Sequence, residues 1–519
     1  MRLKGLFYAL DLLRWEVENG VKTSFFRPSA FFFSSVALLR TQKKALKYEK
    51  MTVFAVLLPT ATSLLFFSLV TVVFAGLGCK KENPVVTPDP PVVTTENPVQ
   101  FETPFTGIPQ TADIVMYEIN ERAFSVAGNF AGVLPRLDSI KALGVNVIWL
   151  MPINLIGAIK TVNSPYCVKN YFEVNPEYGN LENLRTLVRE AHKRNMAVVL
   201  DWAANHTSWD NPWVQAHKDW YTQDASGNII YPEGTNWQDV ADLNFNNAAM
   251  RLEMIKALKY WVLTANVDGY RCDAADYIPY SFWKQAIDSL KLVPNRKLVM
   301  LAEGGRKDHF DAGFQMNFAW DFFNKNVDVF KNKQSANGFN TTHQSEYSGL
   351  PSGVQKLRFT SNHDKDAWED TPLGFFGGKD GSMAAFVTTA YMGGVPLIYN
   401  GQEVGCPVKL PFFSRSPINW TTNPDMMLAY QKLMNIRAAH TALRSGSLEY
   451  YTDFDIAAFK RKYLNDEVLV LVNTRNVAKT YQVSGAVQNT SWTDALTGTT
   501  VTLGNQLNMS AFEYRVLVK

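Results

Sequence analysis

Cysteine is scarce in this chain: four residues in 519, Cys79, Cys167, Cys272 and Cys406, with no two close together. That spacing excludes a short-range zinc-ligand pattern and implies no disulfide framework. Cys167, Cys272 and Cys406 therefore read as small buried residues. Charge of one sign is also lacking. Lys plus Arg number 51 against 48 Asp plus Glu, a net charge of +3, and the folded part has no basic concentration. A nucleic-acid footprint needs a basic face, so nucleic acid is excluded as a partner. Internal repeats are missing too. Apolar residues are present in ordinary amount, 46%, in a chain too long for one simple domain.

The first hundred residues divide by composition. Residues 1–50 resemble neither a folded element nor a targeting signal and are set aside, with Met51 an alternative start. Lys43, Lys44, Lys47 and Lys50 precede an apolar run over 53–78 that ends Gly76-Leu77-Gly78-Cys79. A basic region, an apolar stretch and small residues before a lone Cys describe an export signal over 51–79, more narrowly a bacterial lipoprotein signal lipidated at Cys79. Gly76 departs from the usual apolar residue three before that Cys, and the run is also long enough to span a bilayer uncleaved. Either reading puts the rest of the chain outside the cytoplasm, in the periplasm or at the outer membrane and cell surface. Residues 80–104 hold Pro84, Pro88, Pro90, Pro91, Pro98 and Pro104 among Val and Thr, the composition of an extended linker.

From residue 113 onward, short β-rich runs alternate with amphipathic helical stretches. Strands are expected at 114–119, 146–151, 196–201, 267–273, 298–303, 313–318, 357–361 and 395–399, with helices at 134–143 and 181–194 among others. Eight strands separated by helices specify an α/β fold, a (β/α)8 barrel, over 105–445. A short irregular insert, 206–246, follows the third strand. After that, turn-bounded strands such as Val468-Leu469-Val470-Leu471-Val472 predict a C-terminal β-sandwich over 446–519.

Four patches stand at strand ends, where a barrel presents its reactive side chains: Asp201-Trp202-Ala203-Ala204-Asn205-His206, Gly269-Tyr270-Arg271-Cys272-Asp273, Leu301-Ala302-Glu303-Gly304 and Thr360-Ser361-Asn362-His363-Asp364. Cleaving an acetal needs a proton for the leaving oxygen, a carboxylate facing the anomeric carbon, and negative charge beside an oxocarbenium-like transition state. Asp273, Glu303 and Asp364 supply all three. Arg271, two residues before Asp273, shares its strand face and would keep a neighbouring carboxylate ionised. His206 and His363 are expected to be neutral donors to sugar hydroxyls.

These patches resemble the signature regions of glycoside hydrolase family 13, the α-amylase family. So do Met151-Pro152-Ile153 with Ser164-Pro165-Tyr166, and Gly394-Val395-Pro396-Leu397-Ile398-Tyr399-Asn400-Gly401-Gln402-Glu403. The resemblance implies Asp273 as nucleophile, Glu303 as general acid/base and Asp364 as the stabiliser of the transition state. It implies Arg271, His206 and His363 around the cleaved sugar, Asp201 supporting Arg271, and Tyr166 stacking on the ring. Retention through a covalent glycosyl-enzyme follows, acting on α-glucans or maltooligosaccharides. Asp276 and Tyr277 depart from the Lys-His that many amylases carry three and four residues after the nucleophile. The family's calcium site would use Asn205 and a residue near Asp242 or Asn244; with few carboxylates, calcium is allowed but no cofactor is required. Two other functions fit the same residues: an α-glucan transglycosylase, and a non-catalytic protein that captures glycans at the cell surface. Of the insert's tryptophans, Trp209, Trp213, Trp220 and Trp237, most are expected to build a miniature core.

Overall fold

Short runs in which every side chain is apolar and β-prone, such as Val147-Ile148-Trp149-Leu150, have no face for water and must be covered on both sides. The computed structural model describes residues 98–519 and covers them in this way. The proposed export signal and most of the linker lie outside these residues. Among the described residues, eight parallel strands close into one barrel: β1 (Met116–Ile119), β2 (Val147–Leu150), β3 (Ala197–Trp202), β4 (Gly269–Cys272), β5 (Val299–Ala302), β6 (Met316–Phe318), β7 (Gln355–Arg358) and β8 (Val395–Tyr399). Each pairs with its sequence neighbour, and β8 returns to β1 with Met116 opposite Leu397. Gly269 opens β4 with a φ of 146°, and a Cβ there would lie 1.9 Å from the Val299 carbonyl oxygen, so only glycine lets β4 and β5 approach.

The helices form for local reasons that the barrel then uses. Leu181–Lys193 starts with a reciprocal cap, the Asn180 side chain accepting from the Asn183 amide and Asn183 accepting from the Asn180 amide. It buries Leu184, Leu187, Val188 and Ala191, the helical spacing of one face. Three expected elements differ. The helix at 134–143 is a tight turn, Leu134–Arg136, followed by Leu137–Ala142, because Pro135 removes an amide. The sixth strand begins at Met316, since a short helix, Asp308–Ala312, ends on Gly313 with a φ of 111°. The seventh stops at Arg358, and the following residues turn out onto the rim.

Two excursions rise above the barrel. Asn154–Ile156 pairs with Val168–Val174 after β2, a hairpin the sequence reading did not anticipate. Within the insert after β3, His206–Ser208 pairs with Val240–Asp242. Trp213 and Trp220 pack there with Tyr171 and His217 as a small core.

The C-terminal region is antiparallel. β9 (Ser447–Tyr451), β10 (Ile456–Tyr463), β11 (Asp466–Asn473), β13 (Ser491–Asp494), β14 (Thr500–Thr502) and β16 (Tyr514–Val518) form one sheet, and β12 (Lys479–Gln482) pairs with β15 (Gln506–Met509) in a second. Alternate residues of β11 serve different cores. Val468, Val470 and Val472 join the barrel's core, whereas Leu469 and Leu471 pack with Ile456, Tyr481 and Leu517 inside the C-terminal domain. The unbroken apolar run is the consequence.

Candidate active site

Parallel pairing places Asp201 of β3 directly opposite Arg271 of β4, so their side chains share a face at the C-terminal rim of the barrel. Arg271 is fully buried. Its Nη1 donates to Asp201 Oδ1 at 2.7 Å and to Asp273 Oδ1 at 2.9 Å. Its Nη2 forms a charge pair with Glu303 Oε1 at 2.8 Å that is not aligned as a hydrogen bond. Burial opposes the guanidinium charge, but Asp201 and Glu303 outweigh it and keep Arg271 protonated. Burial pushes Asp273 well above the usual carboxylate range; Arg271 pulls it back, while the negative charges of Glu303, Asp201 and Asp364 add to the rise.

Glu303 is fixed from its other side by backbone. Ala274 has a φ of 45°, a left-handed conformation rare for a residue with a side chain, and its amide donates to Glu303 Oε2 at 2.8 Å. The loop after Glu303 is tied to the loop after β4 by Asp276, which accepts from the Gly305 amide at 2.9 Å and the Arg306 amide at 3.2 Å. A side chain at Gly304 would meet Asp276 at 2.4 Å, so the two positions depend on one another. Asp276 thus braces the rim at the position where many amylases carry Lys.

The two histidines differ in charge, contrary to the expectation that both are neutral. Burial lowers the pKa of His206 to about 4, leaving a neutral ring at physiological pH. Burial also opposes charge on His363, but Asp364 and Glu118 overcome it and raise that pKa to about 9. As an imidazolium, His363 donates through Nδ1 to Glu118 Oε1 at 2.5 Å and through Nε2 to the Tyr166 hydroxyl at 2.8 Å. That hydroxyl donates onward to Asp201 Oδ2 at 3.0 Å, which also accepts from Trp149 Nε1 at 3.1 Å.

Asp273, Glu303, Asp364, His206, His363 and Tyr166 all line one cleft of about 550 Å³; Arg271 and Asp201 lie beneath it. The volume suits a small-molecule site. Trp237, alone among the insert's tryptophans, lines this cleft, edge-on to His206 and 5.5 Å from the Tyr277 ring. Glu118, Trp149 and the Ala274 amide escaped the sequence reading. Glu118 carries the signal used elsewhere, a carboxylate inside an apolar strand run.

Asn205 and Asn244 lie near each other, the Leu243 amide donating to the Asn205 carbonyl. However, Asn244 Oδ1 already accepts from the Asn246 amide. Among the described residues no three His, Cys, Asp or Glu side chains are grouped to hold a metal ion. A hard dication takes six to eight oxygens, usually with carboxylates among them. Asp242, opposite His206 in the insert's hairpin, is the one carboxylate of the expected set, and no step below passes through a metal.

Residues 105–413 match the family model described as alpha amylase, catalytic domain. "Alpha-amylase 3" of Dictyoglomus thermophilum is 25% identical over 451 residues, 73% of this chain and 88% of that protein. A cyclomaltodextrinase of Thermoanaerobacter pseudethanolicus is 26% identical over 376 residues, 67% of this chain and 63% of its own length. Among solved structures, an α-amylase from Lactobacillus plantarum superposes with a TM-score of 0.71 at 27% identity, covering 79% of this chain and 99% of that one.

Proposed function

Since this chain belongs to the α-amylase family, we propose that it is a retaining hydrolase of α-glucosidic bonds, mainly α-1,4, in starch-derived glucans or maltooligosaccharides. One observation carries the reading: Asp273 and Glu303 both pair with the single buried guanidinium of Arg271, inside a cleft that also holds Asp364. Double displacement needs two carboxyl groups about 5–5.5 Å apart, and a shared guanidinium suits so short a separation. Asp273 attacks the anomeric carbon while Arg271 favours its ionised form. Glu303, oriented by the Ala274 amide, gives its proton to the leaving oxygen and later takes one from water. Asp364 holds sugar hydroxyls, charged His363 positions the Tyr166 hydroxyl beside the cleaved sugar, Tyr166 stacks on the ring, and neutral His206 hydrogen-bonds a sugar hydroxyl.

The test is release of reducing ends from soluble starch, pullulan and maltotriose by wild type beside Asp273→Asn. Loss in the variant supports the reading. A wild type that binds these glucans without cutting them points instead to a surface-capture protein. Products longer than a single starting maltooligosaccharide would identify transfer to a sugar hydroxyl in place of water.

We further read the chain as exported and held at a membrane through lipid on Cys79, with residues 80–104 as its tether. The sequence pattern around residues 43–79 supports this reading. Incorporation of labelled palmitate, lost in Cys79→Ser, would support it; unchanged incorporation would refute it.

A further inference from the structure

The geometry points to an exo-acting enzyme: the cleft is closed at the glycone end by a clamp centred on Arg122, so a glucan enters only by its non-reducing terminus. This deepens the reading given above and rests on it.

The barrel order supplies the direction. Glu303, which protonates the leaving group, follows β5, next to β4 with Asp273. The aglycone therefore lies toward the rim of β4 and β5. The loops after β1, β2 and β8 stand across the barrel from it, where the glycone must go.

Those three loops are locked together. Arg122, in a short helix after β1, is 1% exposed. Its Nη1 donates to the Asn163 carbonyl at 2.8 Å, in the loop after β2, and to the Phe412 carbonyl at 2.7 Å, in the loop after β8. Asn163 Nδ2 donates to the Phe413 carbonyl at 2.7 Å, joining the second and third loops directly. Glu177 neutralises Arg122 at 2.8 Å and also pairs with Arg415 at 3.4 Å. A buried guanidinium that satisfies two carbonyls and a carboxylate makes a rigid junction.

The clamp presents an apolar wall to the cleft. Phe412 stands edge-on to Tyr166 and His363, and Phe413 edge-on to Phe412. Trp368, on the wide turn after Asp364, meets both phenylalanines at 5.5 and 5.4 Å. Val162 lines the same side. A glucan crossing this wall would have to break the Arg122 and Asn163 bonds. On the other side, Trp237 lines the cleft, with the Tyr277 ring packed beside it at the rim of β4.

The test compares maltoheptaose with maltoheptaose carrying a 4,6-acetal on its non-reducing glucose, both labelled at the reducing end. Wild type is expected to shorten the free chain from the unlabelled end and to leave the blocked chain intact. Comparable cleavage of both would overturn the inference while leaving the glycosidase reading in place; inactivity on both would overturn the two together. In Asn163→Ala/Phe413→Ala the ratio of blocked to free cleavage should rise. Misfolding would lower both rates without moving that ratio. An unmoved ratio in a folded, active variant would overturn the clamp's role.

Discussion

The barrel rim and the C-terminal sheet bury side chains equally deeply but of opposite kinds. At the rim Arg271 is wholly buried among Asp201, Asp273 and Glu303; in β11 the unbroken run from Val468 to Val472 is buried valine and leucine. Apolar burial stabilises in proportion to the area removed from water, whereas burying charge costs free energy that pairing only partly offsets. Burial in the sheet thus adds stability, and the rim keeps groups poised for reaction at some expense to stability.

The largest effect should separate the two regions outright. Asp273→Asn should lower kcat by roughly 10⁴-fold or more, and calorimetry should show a melting temperature held or raised, because one buried negative charge is gone. A clear fall in melting temperature would break the comparison. Glu303→Gln should cost about 10²- to 10⁴-fold on maltotriose. An aryl glucoside with an acidic leaving group should lose far less, since it departs without a proton. Steady-state kinetics on both substrates decides this.

The converse experiment is Leu469→Ala in β11. It should destabilise by about 2–5 kcal/mol in urea unfolding and leave kcat unchanged wherever the variant is folded. Next comes a pH effect that belongs to the rim alone. The folded pKa of His363, about 9, lies above its ordinary value of 6.5. Its contribution is therefore complete below about pH 6.5 and is lost as pH rises through 9, on the order of 3 kcal/mol in all. Melting temperature across that window should fall in wild type and flatten in His363→Asn. The smallest effect expected is none: EDTA should leave activity and melting temperature unchanged, because the residues near Asn205 offer too few carboxylates for a hard cation.

What could be seen in advance follows from how local each signal is. The barrel strands were visible because a strand covered on both faces must be apolar along its whole length, as 147–150 and 196–200 are. Asp273, Glu303 and Asp364 were visible because each carboxylate ends or follows such a run. Glu118 was equally open to this test and was passed over because it sits inside the strand instead of beyond its end. Arg122 had no local signal at all. Its partners are 41, 55 and 290 residues away, and nothing in Asn120-Glu121-Arg122 reveals them. Trp237 could not be told from Trp213 and Trp220 by composition, because a tryptophan in a small insert serves a core as readily as a cleft.

By itself, then, the sequence determined the alternation of strands and helices, the chemistry of the strand ends and the family, since each is written in contiguous residues. Only the tertiary structure decided which histidine carries charge, which tryptophan faces the cleft, how Asp276 braces the loop after Glu303, and where the cleft is closed. Those outcomes depend on burial and on through-space distances between residues far apart in the chain, quantities that exist only once the chain has folded.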